Sequence, residues 1–326
     1  MIHSMSSSPE VSVIVCTRNR SRLLADACAT MLEMEAPNLD WELLIVDNDS
    51  TDDTLQLAKG VEKANPERVW VMVEKEVGLS ATRNAGIRAA RGRILAFLDD
   101  DAFPAKDWVS GIAEALARPR VLCAGGPVEP LFQGELPDWL DDRFLPYLTV
   151  WDKGPEILPL TYNEYPRGAN IAYRAEALER FGPFSPHLGR KGRSLTSCEE
   201  IEHCLRIERG GGQIVYTPAA RVRHWVDASR ITPEWMVNRF AAQGRSEAII
   251  HYQHAGHPGL RKGLRVYLAN TRGTDGGTSE ADHLYQQCTR ATLRAFFLAC
   301  IDVPFRIPRY QPLPEAGPPK PWLPFQ

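Results

Sequence analysis

Three consecutive aspartates, Asp99, Asp100 and Asp101, follow directly on the apolar run RILAFL. Adjacent carboxylates repel one another and cost stability unless a cation neutralises them. Mn2+ or Mg2+ suits this, because hard cations take few carboxylates and complete their shell with substrate phosphate oxygens. The competing reading is a solvated acidic turn or a helix cap; the position at the end of an apolar run favours the metal. Asp47 and Asp49 close a second apolar run, WELLIVD. A carboxylate there can accept from a nucleobase imide or from ribose hydroxyls. Helix capping at 50–54 would account for Asp49 more easily than for Asp47. Arg83 lies early in a helical stretch after Gly78. It reads equally as a diphosphate ligand, helped by helix N-terminal amides, or as a surface cation. Glu199 and Glu200 open the helical pattern CEEIEHCLRI. Carboxylates at a helix start stabilise its dipole, and the same groups can deprotonate a substrate hydroxyl. His224, in ARVRHW, is either a third metal ligand or a core histidine. His251, His254 and His257 recur every three residues with no carboxylate or cysteine beside them, and read as surface residues.

Short apolar runs and helical patterns alternate through the first hundred residues, and these elements must position the clusters. Residues 11–16 (VSVIVC), 41–47, 69–73 and 93–98 read as buried strands, rich in β-branched residues. Residues 21–34 and 80–91 read as helices, the second ended by Gly92, and another helix is capped by Ser50 or Thr51. This alternation means βαβ units and a mostly parallel α/β sheet. In such sheets ligands bind beyond the carboxyl ends of the strands. The turn from Thr17 to Arg20, the Asp47–Asp49 cluster and the Asp99–Asp101 cluster therefore face one crevice. The pattern weakens over 125–166, which reads as irregular and Pro- and aromatic-rich. Strands are predicted at 167–174, 213–217 and 219–225, a helix at 199–209, and mainly helix after Thr232. The expected organisation is a flexible N-terminus at 1–10, a catalytic domain at 11–230, a helical region at 231–303 and a Pro-rich tail at 304–326.

With 326 residues, 44% hydrophobic and 24% charged, the chain reads as globular. A net charge of −3 gives no bulk attraction for nucleic acid. From Arg221 onward, however, 14 Lys+Arg face 8 Asp+Glu, a balance of +6. That basic third, with the apolar stretch LRAFFLACIDVPF, is consistent with peripheral contact to an anionic membrane or with packing on the catalytic domain. Seven cysteines without a CxxC pair read as reduced thiols of a cytoplasmic protein. The start, MIHSMSSSPE, has neither the basic nor the apolar region of a signal peptide.

In this order, the motifs together resemble the family 2 glycosyltransferases of GT-A fold, from about Val11 to Ser246. VSVIVCTRNR resembles the opening strand and turn, WELLIVDNDSTDDT the nucleotide-binding strand, and GLSATRNAGIRAARGRILAFLDDDAFP the stretch leading to the D-x-D metal motif. SCEEIEHCLRI resembles the helix that supplies the base, and RVRHWVDASRIT the segment where a histidine closes over metal and diphosphate. The resemblance implies a Rossmann-like nucleotide-binding sheet with a helical C-terminal extension. It implies an inverting, non-processive transfer of one sugar from a nucleotide-sugar, UDP being the expected nucleotide, to a glycan or lipid-linked hydroxyl. Glu200 matches the position of the base, with Glu199 beside it. Asp99, Asp101 and His224 match the metal site. Thr17, Arg18, Asn19, Asp47, Asp49, Arg83, Asp99, Asp100, Gly168 and Asn170 match the donor site, and Trp225 and Arg230 the acceptor side. Asn48-Asp49 departs from the common Asp-Gly, and Glu199-Glu200 from the common Glu-Asp. The Q-x-x-R-W motif of processive synthases is absent; Gln243-Gly244-Arg245-Ser246 stands there. A nucleotidyltransferase is disfavoured because the turn CTRNRSR lacks glycine; a non-catalytic nucleotide-sugar sensor would need no base. Lipid-linked acceptors would place the protein at the inner face of the membrane.

Overall fold

A computed structural model describes residues 9–162, 164–255 and 279–307. The first eight residues, His257 and most of the Pro-rich tail, each the subject of an expectation above, lie outside the described residues. The first half follows the predicted alternation: β1 (Val11–Thr17), α1 (Ser21–Leu32), β2 (Trp41–Asp47), α2 (Thr54–Ala64), β3 (Val69–Val73), α3 (Leu79–Ala89) and β4 (Ile94–Asp99). Then come β5 (Ala102–Pro104), α4 (Trp108–Ala117), β6 (Val121–Gly125), β7 (Val128–Phe132), β8 (Leu158–Leu160), β9 (Asn170–Arg174) and α5 (Ala175–Phe181). The chain continues with α6 (Glu199–Arg209), β10 (Gln213–Tyr216), β11 (Val222–Val226), α7 (Pro233–Ala255) and α8 (Glu280–Asp302).

The main sheet has the order β3-β2-β1-β4-β9-β6-β10-β8. Its first four strands are parallel, while β9 runs antiparallel to both β4 and β6, and β8 antiparallel to β10. Alternation along β1 splits the core. Ile14 joins Val46, Phe97 and residues of α6, α7 and α8 on one face; Val13 and Val15 join Leu24, Met31, Trp108 and Ile112 on the other. Both faces are therefore covered, which is why the strands read as continuous apolar runs. Gly86 lets α3 lie close on β1: a Cβ there would sit 2.7 Å from Ile14 Cγ2.

A second sheet, β5-β11-β7, was not foreseen. The strand expected at 219–225 is Val222–Val226 and belongs to this small sheet, not the main one. The irregular stretch 125–166 contributes β7 and β8, and β6, α4 and α5 were also missed, being short or buried on all sides. The C-terminal apolar stretch is turned mostly inward. Leu293, Phe296, Ala299 and Cys300 of α8 are buried, while Leu298 and Ile301 remain exposed. Gly244 of α7 lies against the Thr292 backbone of α8, and the Thr292 hydroxyl donates to Phe240 O at 2.9 Å. Among the described residues no helix is long and apolar enough to cross a membrane.

The surface reading of the histidines is corrected. His251 is buried, and His254 Nε2 lies 2.6 Å from Glu202 Oε1, whose other oxygen accepts from Arg206 at 2.9 Å. The carboxylate partner comes from α6, far away in sequence, so local spacing could not reveal it. All seven cysteines are free thiols.

Candidate active site

A cleft of about 700 Å3 opens where the carboxyl ends of β1 and β4 meet the starts of α3 and α6. Because β1 and β4 are parallel neighbours with Cys16 opposite Asp99, the 17–20 turn lies against the aspartates. Thr17 Oγ1 donates to Asp100 Oδ2 at 2.7 Å, and Arg20 donates to Asp100 and Asp101. Arg18 reaches across to Asn48 O at 2.5 Å. Asn19 has a left-handed φ of 52° and accepts the Thr51 N–H at 2.7 Å, so it ties two loops together at the cleft rim. Asn48, the departure from the expected Asp-Gly, fixes the loop to α3: its Oδ1 accepts from Gly78 N and its Nδ2 donates to the carbonyls of Glu74 and Glu76.

The second sheet explains how a histidine arrives. In the β11–β5 ladder His224 stands opposite Ala102, next to Asp101. His224 Nε2 lies 3.1 Å from Asp101 Oδ1, and one ligand atom from each of Asp99, Asp101 and His224 falls within 4.8 Å of the others. Two carboxylates and an imidazole make a donor set suited to Mn2+ or Mg2+. Burial favours the neutral form of Asp101, but His224, Arg20 and Arg230 outweigh it and hold the carboxyl well below its usual range. It is therefore ionised and ready to ligate. Burial, then the charge of Asp101, pushes its neighbour Asp100 up to about 7 against the pull of Arg20 and the Thr17 hydroxyl. The aspartates are thus neutralised in part by arginines, which sequence reasoning had left to a metal alone. Buried His224 Nδ1 has no hydrogen-bond partner among the described residues.

Arg83 is not an open cation awaiting diphosphate. It is buried and donates to Glu199 Oε1 at 2.7 Å, to Gly168 O at 2.9 Å and to Asp99 Oδ1 at 3.3 Å. Gly168 has no room for a side chain, since a Cβ would meet the guanidinium at 2.9 Å. Burial, then the charge of Glu200, pushes Glu199 up to about 7, opposed by Arg83. Glu200 instead borders the cleft, partly exposed, and accepts the Gly168 N–H at 3.3 Å.

Several expected ligands stand elsewhere. Asn170 is fully buried: it accepts from Trp108 Nε1 and donates to the carbonyls of Pro127 and Ala220, so it has nothing left for a sugar. Asp47 is fully buried behind the cleft wall, one oxygen accepting from Ser50 N at 3.0 Å and the other without a partner among the described residues. Asp49 points away, 3.2 Å from Lys75. Trp225 does not line the cleft; its backbone N–H donates to Asp101 O at 2.9 Å, and the tryptophan on the wall is Trp235. Arg230 does line it, 3.6 Å from Asp101. Sequence reasoning missed Arg167, Arg190, Arg239, Gln243 and Glu247, which border the cleft from loops and from α7. Arg20, in the turn after β1, and Gln243, where the processive-synthase motif would stand, each carried a signal that could have found them.

The model described as glycosyl transferase family 2 matches residues 12–182, just over half of the chain. The chain is a family 2 glycosyltransferase. Among curated relatives, a glucosyl-dolichyl phosphate glucuronosyltransferase of Haloferax volcanii is 26% identical over 246 residues, covering 74% of this chain and 77% of the relative. Succinoglycan biosynthesis protein ExoM of Rhizobium meliloti is 26% identical over 265 residues, covering 80% and 81%. In fold, the glycosyltransferase resembles a mannosyltransferase of Pyrobaculum calidifontis solved with GDP-Man and Mn2+, with a TM-score of 0.57, 20% identity, and 92% and 88% of the two chains covered. The fold is GT-A, and membership decides against the nucleotidyltransferase reading and for an enzyme using a nucleotide-sugar donor.

Proposed function

We propose that this glycosyltransferase moves a single sugar, with inversion, from a nucleoside-diphosphate sugar, UDP being the expected nucleotide, to a hydroxyl of a glycan or lipid-linked glycan. The observation that carries the reading is the division of labour between adjacent glutamates. Glu199 is buried and engaged by Arg83, whereas Glu200 reaches the cleft with one hydrogen bond from Gly168. In this reading Glu200 accepts the proton of the acceptor hydroxyl as its oxygen attacks the anomeric carbon and the bond to the diphosphate breaks. Asp99, Asp101 and His224 would hold Mn2+ or Mg2+, which when bound stabilises the leaving diphosphate. Thr17, Arg18 and Asn19 flank the nucleoside, and Arg83 acts by holding Glu199, Gly168 and Asp99 in register, so it is a positioning residue. Arg230 and Trp235 border the acceptor side. Supply of a lipid-linked acceptor would go with a cytoplasmic protein resting on the inner face of the membrane through the exposed side of α8.

The test has two parts. A panel of UDP-, GDP- and dTDP-sugars with Mn2+ should give nucleotide release from one donor. With that donor, Glu200→Gln should keep its affinity by calorimetry while kcat falls by roughly 10²–10⁴-fold. Near-wild-type kcat with lost donor binding would overturn the assignment of the base.

A further inference from the structure

The cations of the cleft divide into two sets. Arg20, Arg83 and Arg230 each have a carboxylate within 3.6 Å. Arg167, Arg190 and Arg239 border the same cleft, and none of them has an ion pair among the described residues. A buried guanidinium is costly unless an anion or a full set of acceptors meets it. Arg167 lacks both: its Nε is buried without any hydrogen-bond partner among the described residues. Among the described residues Arg239 has only the amide oxygen of Gln243, at 3.1 Å, and the face of Tyr147. The arginines also act on one another. Burial, followed by the charges of Arg239 and Arg230, pushes Arg190 down to about 10, and burial lowers Arg167 as well. Three guanidiniums that border one cleft, none of them ion-paired among the described residues, form a site that an incoming anion would complete.

Their position says which substrate supplies it. Arg167 immediately precedes Gly168, whose N–H holds Glu200. Among the charged groups that act on Arg167, Glu200 comes first and Arg239 follows, and the Asp99–Asp101 cluster is not among the leading ones. Arg239 reaches the same neighbourhood, since it donates to Gln243, whose amide donates to Cys198 Sγ two residues before Glu200, so Arg167 and Arg239 both border the cleft on the side of the base. We infer that Arg167 and Arg239 form an anion-binding acceptor subsite, so that the acceptor carries a carboxylate or phosphate close to the attacking hydroxyl. Arginine suits this because its planar fork grips either oxyanion with two parallel hydrogen bonds. The assignment to the acceptor rests on the proposed role of Glu200. Glu247 tunes the subsite from α7: its Oε1 accepts from Gln243 at 3.1 Å, and burial pushes its carboxyl up to about 7, which limits its competition for Arg239.

Calorimetry on the full chain tests this, with Mn2+ and the best-binding nucleoside diphosphate present so that the donor side is filled. One arm compares methyl glucuronide with methyl glucoside; the other compares farnesyl phosphate with farnesol. One anionic probe should bind roughly ten- to hundredfold tighter than its neutral twin, the effect of one or two charge-assisted hydrogen bonds. The arm that shows the preference identifies the source of the charge. Arg167→Gln and Arg239→Gln should remove the preference and leave nucleotide affinity within about twofold; Arg239→Lys should keep part of it. If Arg167→Gln fails to fold, Arg239→Gln decides. Equal binding of anionic and neutral probes, or a preference that survives Arg239→Gln, overturns the inference. An undiminished kcat in Glu200→Gln would instead overturn the proposed function, so the two failures are distinguishable.

Discussion

Asp101 is the residue on which the metal reading turns, because His224, Arg20 and Arg230 all converge on it. Asp101→Asn keeps the shape and removes the charge. Turnover should then fall by roughly 10²-fold or more, as metal stabilisation of a leaving group contributes several kcal/mol. EDTA should abolish wild-type activity and Mn2+ restore it; full activity in excess EDTA refutes the metal. Glu247 gives a prediction about pH. Burial pushes its carboxyl up to about 7 from an ordinary value of 4.5. The unfolded chain therefore loses this proton near 4.5 and the folded protein only near 7. The folded state is favoured below that window, and the advantage is lost as pH rises through it. Glu247→Gln removes the effect. Relative to wild type, the variant should gain on the order of 1–2 kcal/mol at pH 8 over its difference at pH 4.5, less than the full shift because the residue borders an open cleft. Urea unfolding at both pH values measures it, and an equal difference at the two would refute the assignment.

At the scale of elements, the site exists because a short second sheet is fastened to the end of a long one. Asn170, at the start of β9, is the fastener: it joins the Trp108 indole of α4 to the carbonyls of Pro127 and Ala220, just before β7 and β11. Asn170→Ala would strand the Trp108 indole N–H and the Ala220 carbonyl, at about 1–3 kcal/mol each before relaxation, while Pro127 O keeps the Val222 N–H at 3.0 Å. We expect a loss of at least about 2 kcal/mol in urea unfolding, with weaker metal binding as β11 and His224 loosen. Unchanged stability with reduced donor affinity would instead make Asn170 a sugar ligand. The same logic explains Glu199. One residue earlier on α6 than Glu200, it faces Arg83 and the core, so a helical step of one position separates the buried partner from the group on the cleft.

For the whole molecule, α7 and α8 close the core on the side of α6. Truncating α8 would remove the buried Leu293, Phe296 and Ala299 and uncover core residues such as Ala248 and Ile249 of α7, so a truncation cannot isolate a membrane role. Point changes on the outer side can. Arg294, Leu298 and Ile301 are exposed at helical spacing. If the protein rests on a membrane there, it should sediment with anionic vesicles, release with added salt, and lose binding when Arg294→Glu and Leu298→Asp are combined. Each basic residue near such a surface contributes about 1 kcal/mol, a small effect that salt screens. Equal recovery in the supernatant with anionic and neutral vesicles would remove membrane contact from the proposal.

The β-branched runs, the helix signals between them and the polar clusters at strand ends are local properties. The sequence by itself therefore determined the α/β class, the family and the shared location of the Thr17 turn and the Asp99–Asp101 cluster; of the Asp47–Asp49 cluster expected at the same crevice, only Asn48 lines it. Register and burial come from long-range packing, and they decided the rest. The β5–β11 pairing sets His224 beside Asp101. Complete burial turns Asn170 and Asp47 from expected ligands into framework groups, and Arg83 into a bracket for Glu199. Trp235 takes the wall position expected of Trp225, because the residues after β11 turn into α7. Arg167 and Arg239 border one cleft only because the turn before β9 and α7 pack around it. No spacing rule reaches across such separations; which polar groups find partners, and which are left to face a ligand, is fixed only when distant segments pack.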